Sequence, residues 1–212
     1  MTDRYDTTGN IEAQFEPGSD DRVLANKLGI IDPAEMDDIE LELLIQLYDQ
    51  IPIMVDKDQH LTVADIKEWH RRWLGNVYSW AGQYRTVNIG KGDFQFAANA
   101  QIDRLMTTLD TDFLSRYTPC SQMPDEPLTE AIAQVHIELI LIHPFREGNG
   151  RLSRLLASVM AMQAGKPEIN FADWDEHKEG YFSAIQAGLD DNEPMKTLVR
   201  QVLHGGGKHA AG

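Results

Sequence analysis

The feature that most constrains the fold is a long apolar segment that ends at a proline and is followed by a tight, glycine-flanked turn. Residues 127–142 place apolar side chains at helical spacing, and Pro144 disfavours helical geometry at the residue before it. Residues 151–164 return to helical spacing, with Gly165 as a C-cap. The sequence therefore predicts two buried helices joined by a bend, with His143 at the end of the first.

Helical periodicity also accounts for most of the remaining chain. Thr62 and Asp65 resemble a capping box that opens one helix, and an aromatic stripe continues from there to Trp80. Such a stripe is typical of core packing. Besides the two helices around the bend, we predict helices over residues 34–54, 62–80, 99–117, 174–187 and 192–203.

One stretch has the period of a strand instead. Apolar residues alternate at Val87 and Ile89, a Gly-Lys-Gly-Asp turn occupies 90–93, and the alternation resumes at Phe94 and Phe96. Period-two alternation on both sides of a glycine-rich turn predicts a β-hairpin. The expected fold class is therefore mostly α, with one small hairpin.

Composition limits the domain organisation and the partners. The chain has 212 residues and a net charge of −15, which argues against nucleic acid or an anionic membrane as the main partner. It contains a single cysteine, Cys120, and no apolar run long enough to span a bilayer, so we expect a cytoplasmic protein. We expect an irregular N-terminal segment (1–33), one helical domain (34–203) and a disordered tail (204–212).

The bend between the two buried helices combines residue types that suit anion chemistry. Gly148 and Gly150 let a ligand approach the backbone closely, and the amides that open the next helix carry partial positive charge. Arg151 and Arg154 are three residues apart, so both lie on one helix face and can fork onto phosphate oxygens. Glu147 in this cationic setting is explained by a Mg²⁺ ion held on bound phosphates. The set suits phosphoryl-type transfer.

Simpler interpretations of the same residues stay open at this point. A histidine at a helix end is most often a cap, Gly-Asn-Gly is usually a turn, and Arg154 could pair with a surface carboxylate. His136 and Glu138 lie upstream on the same apolar helix, which makes a zinc site with His143 conceivable. However, His136 and His143 are seven residues apart, too far along a straight helix for both to bind one metal ion.

The stretch HPFREGNGRLSR (143–154) resembles, without a gap, the signature of the Fic family, His-x-Phe-x-Asp/Glu-Gly-Asn-Gly-Arg-x-x-Arg. Residues 80–98 are similar to the flap hairpin of that family, and residues 16–30 to the N-terminal segment of many bacterial members. The resemblance implies a compact Fic-type helical domain with a small β-hairpin flap. It also implies transfer of AMP from ATP to a hydroxyl of a target protein.

The resemblance implies a role for each signature position. His143 would be the general base, Glu147 would hold Mg²⁺, and Phe145 would point into the core. The phosphates of ATP, the co-substrate, would be bound by the turn and by the two arginines, that is by Gly148, Asn149 (with help from its side chain), Gly150, Arg151 and Arg154.

The hairpin has a family role and a structural alternative. Family flaps hold an extended target segment along a strand edge by main-chain hydrogen bonds, and Lys91 and Phe94 would dock the target side chain. Alternation alone would equally suit a structural hairpin that packs Phe94 and Phe96 into the core.

The resemblance also implies an inhibitor, since family members are commonly restrained by a glutamate that pairs with the second signature arginine, here Arg154. The inhibitory pattern is Ser/Thr-x-x-x-Glu-Gly/Asn, and Thr8 and Glu12 have its spacing, although position 13 is alanine. Glu12 is thus the candidate inhibitory glutamate. The alternatives are that Thr8 and Glu12 belong to a mobile N-terminus, that a small antitoxin-like protein inhibits the chain, or that it has no inhibitor.

Two other classes of function stay open. Relatives of the Fic fold resemble kinases or move UMP or phosphocholine, and a non-catalytic nucleotide-binding module could keep the same motif. The intact signature favours AMP. Delivery into the cytoplasm of another cell is compatible with this sequence.

Overall fold

A computed structural model describes residues 10–92 and 94–205. The mostly helical fold with one hairpin is confirmed. Two strands, β1 (Gly90–Lys91) and β2 (Phe94–Gln95), pair antiparallel. The helices are α1 (Pro33–Met54), α2 (Val63–Leu74), α3 (Ile102–Thr108), α4 (Ser115–Tyr117), α5 (Asp125–Ile142), α6 (Asn149–Gln163), α7 (Ala172–Glu176), α8 (Lys178–Ala187) and α9 (Glu193–Gly205).

Helix α5 lies at the centre of the core. Its buried residues occur on every side of the helix, from Leu128 to Ile142, which is the pattern of a helix enclosed by others. It packs against α6, α9 and a π-helical segment, Leu109–Leu114. Because α5 and α6 are both buried and adjacent, the bend between them is held on both sides by the core.

Helix α2 is shorter than predicted. The Thr62–Asp65 capping box is confirmed, but the helix ends at Leu74 and not near Trp80. The side chain of Lys27 donates to the carbonyl of Gly75 (2.6 Å), and its amide donates to the carbonyl of Val77 (2.8 Å). These tertiary hydrogen bonds use carbonyls that a longer helix would have needed for its own hydrogen bonds. The remaining residues of the aromatic stripe therefore lie in turns, and their side chains are still buried.

Two other predicted helices are interrupted. The segment predicted as one helix over 99–117 begins as a 3₁₀ turn at Asn99–Gln101 and contains the π-helical segment between α3 and α4. The helix predicted over 174–187 is split into α7 and α8 at His177, whose φ of −112° and ψ of 48° are not helical. Periodicity did not reveal these breaks, because the apolar spacing continues across them.

The hairpin is confirmed with a different turn. Gly90 and Lys91, predicted as part of the turn, pair with Gln95 and Phe94 in the ladder. The connection is therefore reduced to Gly92, which has a φ of 59°, and position 93, which lies outside the described residues.

Both ends of the described chain are more ordered than the sequence predicted. The described part of the N-terminal segment contains a 3₁₀ turn at Ile11–Ala13, and its Val23 and Ile30 join the core. At the other end His204 and Gly205 belong to α9, while 206–212 of the predicted tail lie outside the described residues. None of the helices in the described ranges combines the length and apolarity required to cross a bilayer.

Candidate active site

A cavity of about 750 Å³ lies between the hairpin, the α5–α6 bend and helices α7 and α8. It gathers residues that are far apart in the sequence. The predicted site residues that line it are Lys91, His143, Glu147, Asn149, Gly150, Arg151 and Arg154. Phe94 lines an adjoining pocket of about 230 Å³ instead.

The cavity is cationic although the chain as a whole is acidic. Among the residues that line it are five cations, namely Lys91, Arg146, Arg151, Arg154 and Lys178, and two carboxylates, namely Glu147 and Asp175. Five of the 19 lysines and arginines therefore surround one cavity of a chain whose net charge is −15. This local excess favours a polyanionic ligand.

His143 follows the last residue of α5, and its ring lies at the bend. It is the C-cap, with a left-handed φ of 51°, and its ring stacks on Phe96 with 3.7 Å between ring centroids. Its Nδ1 lies 3.1 Å from the carbonyl oxygen of Ile140, so Nδ1 carries the proton and Nε2 keeps its lone pair. Burial lowers the pKa of His143 to about 4, so the ring is neutral at pH 7.

The turn depends on Gly148 and Asn149 in different ways. Gly148 has a φ of 81°, and a Cβ atom there would lie 2.6 Å from the Trp73 ring, so only glycine fits. The side chain of Asn149, which we expected to help bind phosphate, is buried: it accepts from the amide of Phe145 (2.9 Å) and donates to the carbonyl of the same residue (2.8 Å). Both polar atoms of the amide therefore help to close the loop, and binding of phosphate by this side chain stays a prediction.

His70 supports the same turn from below, and sequence analysis missed it. Its ring stacks on Phe145, which is fully buried as expected, with 4.0 Å between centroids. Its Nδ1 accepts from the amide of Gly82 (2.7 Å), so Nε2 carries the proton and donates to the carbonyl of Glu147 (3.1 Å). Burial lowers the pKa of His70 to about 4, which keeps it in this neutral form.

The N-terminus of α6 faces the cavity. No side chain among the described residues caps its first amides, and the amide of Gly148 donates to Oε1 of Glu147 (2.8 Å). A Cβ atom added to Gly150 would meet nothing within 4 Å, so the backbone is open there. The first turn of this helix can therefore accept an anion directly on its backbone.

Arg151 is held by a buried carboxylate that sequence analysis also missed. Its Nη2 lies 2.6 Å from Glu40, whose side chain is only 4% exposed, and 3.4 Å from Glu147. The hydroxyl of Tyr78 donates to the same Glu40 carboxylate (2.7 Å). Burial first and then this carboxylate raise the pKa of Tyr78 well above its usual range. Arg151 is thus fixed at the cavity wall before any ligand binds.

Arg154 lies one turn further along α6. It donates twice from Nη1 to the Asp175 carboxylate (2.9 Å to each oxygen), and its guanidinium lies 5.4 Å from the ring centroid of Tyr181. The partner anticipated as an alternative, a surface carboxylate, is therefore present. Asp175 is mostly exposed, and both members of the pair line the cavity.

The comparisons with known proteins agree with this geometry. The family model described as Fic/DOC family matches residues 60–161. A relative named probable protein adenylyltransferase y4lH, from Sinorhizobium fredii, is 30% identical over 187 residues that span 88% of this chain and 93% of the relative. This chain belongs to the Fic/DOC family.

Other Fic proteins extend the comparison. The protein adenylyltransferase Fic of Nematostella vectensis is 34% identical over 147 residues, 69% of this chain, and the match spans only 33% of that longer protein. The solved structure of the BepC effector protein of Bartonella tribocorum with bound AMPPNP superposes with a TM-score of 0.67. It covers 85% of this chain and 92% of that one at 22% identity, which shows the shared Fic fold.

The candidate inhibitory glutamate of this Fic chain lies elsewhere. Glu12 is buried, and its carboxylate accepts from the amide (2.6 Å) and the hydroxyl of Thr86 at the base of the hairpin, whereas Arg154 pairs with Asp175. The structure therefore does not bring Glu12 and Arg154 together. Thr8, the other residue of the pattern, lies outside the described residues.

The flap residues contact the protein itself. The amino group of Lys91 lies over the Phe182 ring of α8, 3.8 Å from its centroid, and Phe94 packs edge-on against Phe96 with 5.4 Å between centroids. The hairpin therefore contacts α8, and both elements line the cavity. Docking of a target by Lys91 and Phe94 stays a prediction.

Glu147 has the chemistry of a magnesium ligand. Its side chain is 45% exposed, and residues 10–92 and 94–205 contain no cluster of three or more histidines, cysteines or carboxylates that could hold a metal ion by themselves. Magnesium usually takes one or two protein carboxylates and completes its shell with phosphate and water. One partly exposed glutamate in this cationic cavity fits that pattern.

The zinc alternative has no free ligand at His136. Its Nδ1 lies 2.8 Å from the hydroxyl of Ser153, and its Nε2 lies 2.8 Å from the hydroxyl of Tyr181. Because both ring nitrogens are already hydrogen-bonded in the core, His136 is a packed structural histidine.

The two glycines of the turn offer a matched test. We expect Gly148→Ala to destabilise the fold by roughly 2–4 kcal/mol, because the Cβ atom clashes with Trp73 at a left-handed φ. Gly150→Ala should keep or slightly raise stability, since alanine favours helix and meets no atom, yet it should weaken ATP binding by narrowing the anion site. Urea denaturation and calorimetry with ATP would check both, and equal stabilities would contradict the assignment of Gly148.

Proposed function

We propose that this chain transfers AMP from ATP to a serine, threonine or tyrosine hydroxyl of a target protein. The observation that supports this best is the position of His143: a neutral imidazole with a free Nε2 lines the same cavity as the open N-terminus of α6. The adenylyltransferase names of the relatives support AMP as the transferred group. The AMPPNP in the BepC structure supports ATP as the co-substrate.

The reaction would proceed as a displacement at the α-phosphorus. The target hydroxyl oxygen attacks this phosphorus, and Nε2 of His143 accepts the hydroxyl proton. A new oxygen–phosphorus bond forms while the bond to the bridging oxygen breaks, and pyrophosphate leaves. A base poised in this way typically contributes 10²–10⁴-fold to such a rate.

The remaining site residues would bind the triphosphate. The amides at the start of α6 and the guanidiniums of Arg151 and Arg154 would meet the phosphate oxygens, and Asp175 would release Arg154 as the ligand enters. Glu147 would hold magnesium against the phosphates, and the ion would add charge neutralisation when bound. Such preorganised donors stabilise the charge that develops as the leaving group departs.

The target and any inhibitor would act from outside the cavity. We propose that an extended target segment lies along the hairpin and that Lys91 and Phe94 contact its side chains. With Glu12 bound to Thr86, inhibition would come from a small antitoxin-like protein. A cytoplasm, of the producing cell or of a recipient cell, suits the lone buried Cys120, whose pKa burial raises to about 12.

Labelled ATP tests the proposed function. The chain would be incubated with a cell lysate and with ATP labelled either at the α- or at the γ-phosphate. Label from the α-position on protein supports AMP transfer, label from the γ-position alone would establish a kinase, and neither would leave a nucleotide-binding module. His143→Ala in parallel separates transfer by this chain from enzymes of the lysate.

A further inference from the structure

Arg85 is a buried cation at the base of the hairpin. Its side chain is enclosed (2% exposed), and its Nε donates to the carbonyl of His143 at 2.7 Å. Its Nη1 donates to the carbonyl of Val87 (2.6 Å), and Nη2 donates to those of Ala97 (2.6 Å) and Ile142 (3.3 Å). One guanidinium therefore bonds four backbone carbonyls.

These carbonyls belong to two separate parts of the site. Ile142 and His143 form the end of α5, where helix carbonyls lack intrahelical partners and a cation is favourable. Val87 and Ala97 lie on the two arms of the hairpin, just outside its strands. The backbone adds to the connection, since the amide of Arg85 donates to the carbonyl of Pro144 at 2.8 Å.

Burying a charge is costly unless it is both hydrogen-bonded and paired with an opposite charge, and Arg85 has the hydrogen bonds but no ion pair among the described residues. The arrangement therefore needs a reason beyond packing. A planar guanidinium can fork onto several acceptors at once, whereas a lysine ammonium cannot reproduce that geometry. The reason consistent with the contacts is geometric: the fork holds the hairpin and the end of α5 at one fixed separation.

We propose that Arg85 is a positioning residue that locks the hairpin to His143, so that a segment lying along the hairpin presents its hydroxyl to the base. This inference rests on the proposed function, in which His143 is the base. Arg85 itself touches neither the cavity nor the reacting atoms; it acts through the backbone of His143.

Glu12 also helps to hold the base of the hairpin, from the N-terminal side of the chain. Its carboxylate binds Thr86, the residue after Arg85, and its carbonyl accepts from Nε of Arg146 (2.8 Å). Burial lowers the pKa of Arg85, and the Glu12 carboxylate opposes that shift. Glu12, which sequence spacing suggested as an inhibitory residue, thus helps to hold the base of the hairpin in place.

Two variants test this positioning role. Arg85→Gln removes both the positive charge and the guanidinium hydrogen bonds, whereas Arg85→Lys keeps the positive charge alone. Gln163→Met is the matched control, because buried Gln163 also ties loops together, through the carbonyls of Asp56 and Gln59, far from the cavity. For each variant we would measure the rate of α-label transfer at saturating ATP with one fixed lysate, ATP affinity by calorimetry, and amide hydrogen exchange.

We expect both Arg85 variants to lower the maximal transfer rate at least tenfold while ATP affinity changes less than about twofold. Exchange should accelerate over residues 87–97 and 141–145 and stay parental elsewhere. The Gln163 variant should lose stability without this pattern. Parental rates with parental exchange in both Arg85 variants would overturn the inference, and so would an equal rate loss in the Gln163 control.

Failure of the proposed function would look different. If the parent chain transfers no α-label, the amide hydrogen exchange data alone test whether Arg85 holds the hairpin to the end of α5, because that measurement does not require activity. If Arg85→Gln does not fold, the lysine variant gives the same measurements with the cation retained. Uniform acceleration of exchange across the chain in that variant would assign Arg85 to general stability and overturn the positioning role.

Discussion

Replacing His143 with alanine should reduce AMP transfer by about 10²–10⁴-fold while leaving ATP affinity within a few-fold of the parent. The imidazole lines the cavity with Nδ1 bonded to the carbonyl of Ile140, so its loss removes the proton acceptor and leaves the phosphate-binding residues in place. The measurement is the rate of α-label transfer beside calorimetry with ATP.

The backbone of His143 calls for a second variant. Its φ of 51° is left-handed, which alanine tolerates less well than asparagine, so His143→Asn removes the base with less strain. His60→Ala, at an exposed position, is the control. Parental rates in both His143 variants would remove this residue from the mechanism.

The acid limit of the reaction follows from the same residue. Burial lowers the pKa of His143 to about 4, so the neutral base persists as the pH falls and is lost only as the pH passes through about 4. A base with an ordinary pKa would lose activity near pH 6.5. Circular dichroism must accompany the rates, because between pH 6.5 and 4 the unfolded state binds more protons at this histidine and stability falls.

Arg151→Ala should weaken ATP binding roughly 10–100-fold and also destabilise the fold by roughly 2–4 kcal/mol. The second effect arises because Glu40, with 4% of its side chain exposed, would lose its cation, which leaves the hydroxyl of Tyr78 as the side-chain partner of this carboxylate among the described residues. Calorimetry with ATP and urea denaturation would measure the two effects.

A double variant separates the two roles of Arg151. Adding Glu40→Gln to Arg151→Ala removes the unpaired charge, so stability should largely return, whereas ATP affinity should stay low. Recovery of both properties would show that Arg151 acts only through the fold, and recovery of neither would contradict the buried ion pair as the source of instability. Lys166→Ala, at an ion pair outside the cavity, is the control.

Local sequence signals predicted the elements whose stabilising contacts are also local. The capping box at Thr62 and Asp65 and the end of α5 before Pro144 involve residues within a few positions of each other, so spacing is sufficient evidence for them. The end of α2 could not be predicted in this way, because it depends on Lys27, which is distant in the sequence.

By itself the sequence determined the helical class, the bend and the part of the cavity wall that the bend supplies. These follow from the periodicity of apolar side chains and from twelve contiguous residues, 143–154, whose functional groups converge because one turn and one helix face bring them together. No distant part of the chain is needed to place these residues near one another.

Only the tertiary structure decided which groups hold that site in place. Glu40 reaches Arg151 across 111 positions, His70 reaches the carbonyl of Glu147 across 77, and Arg85 reaches the carbonyl of His143 across 58. Two of these three bonds end on backbone carbonyls. Because every residue has such a carbonyl, the residue type at that position does not indicate the bond. Which buried polar group meets which carbonyl depends on how the helices pack, because the penalty for leaving either one unpaired applies only after the core has closed around them.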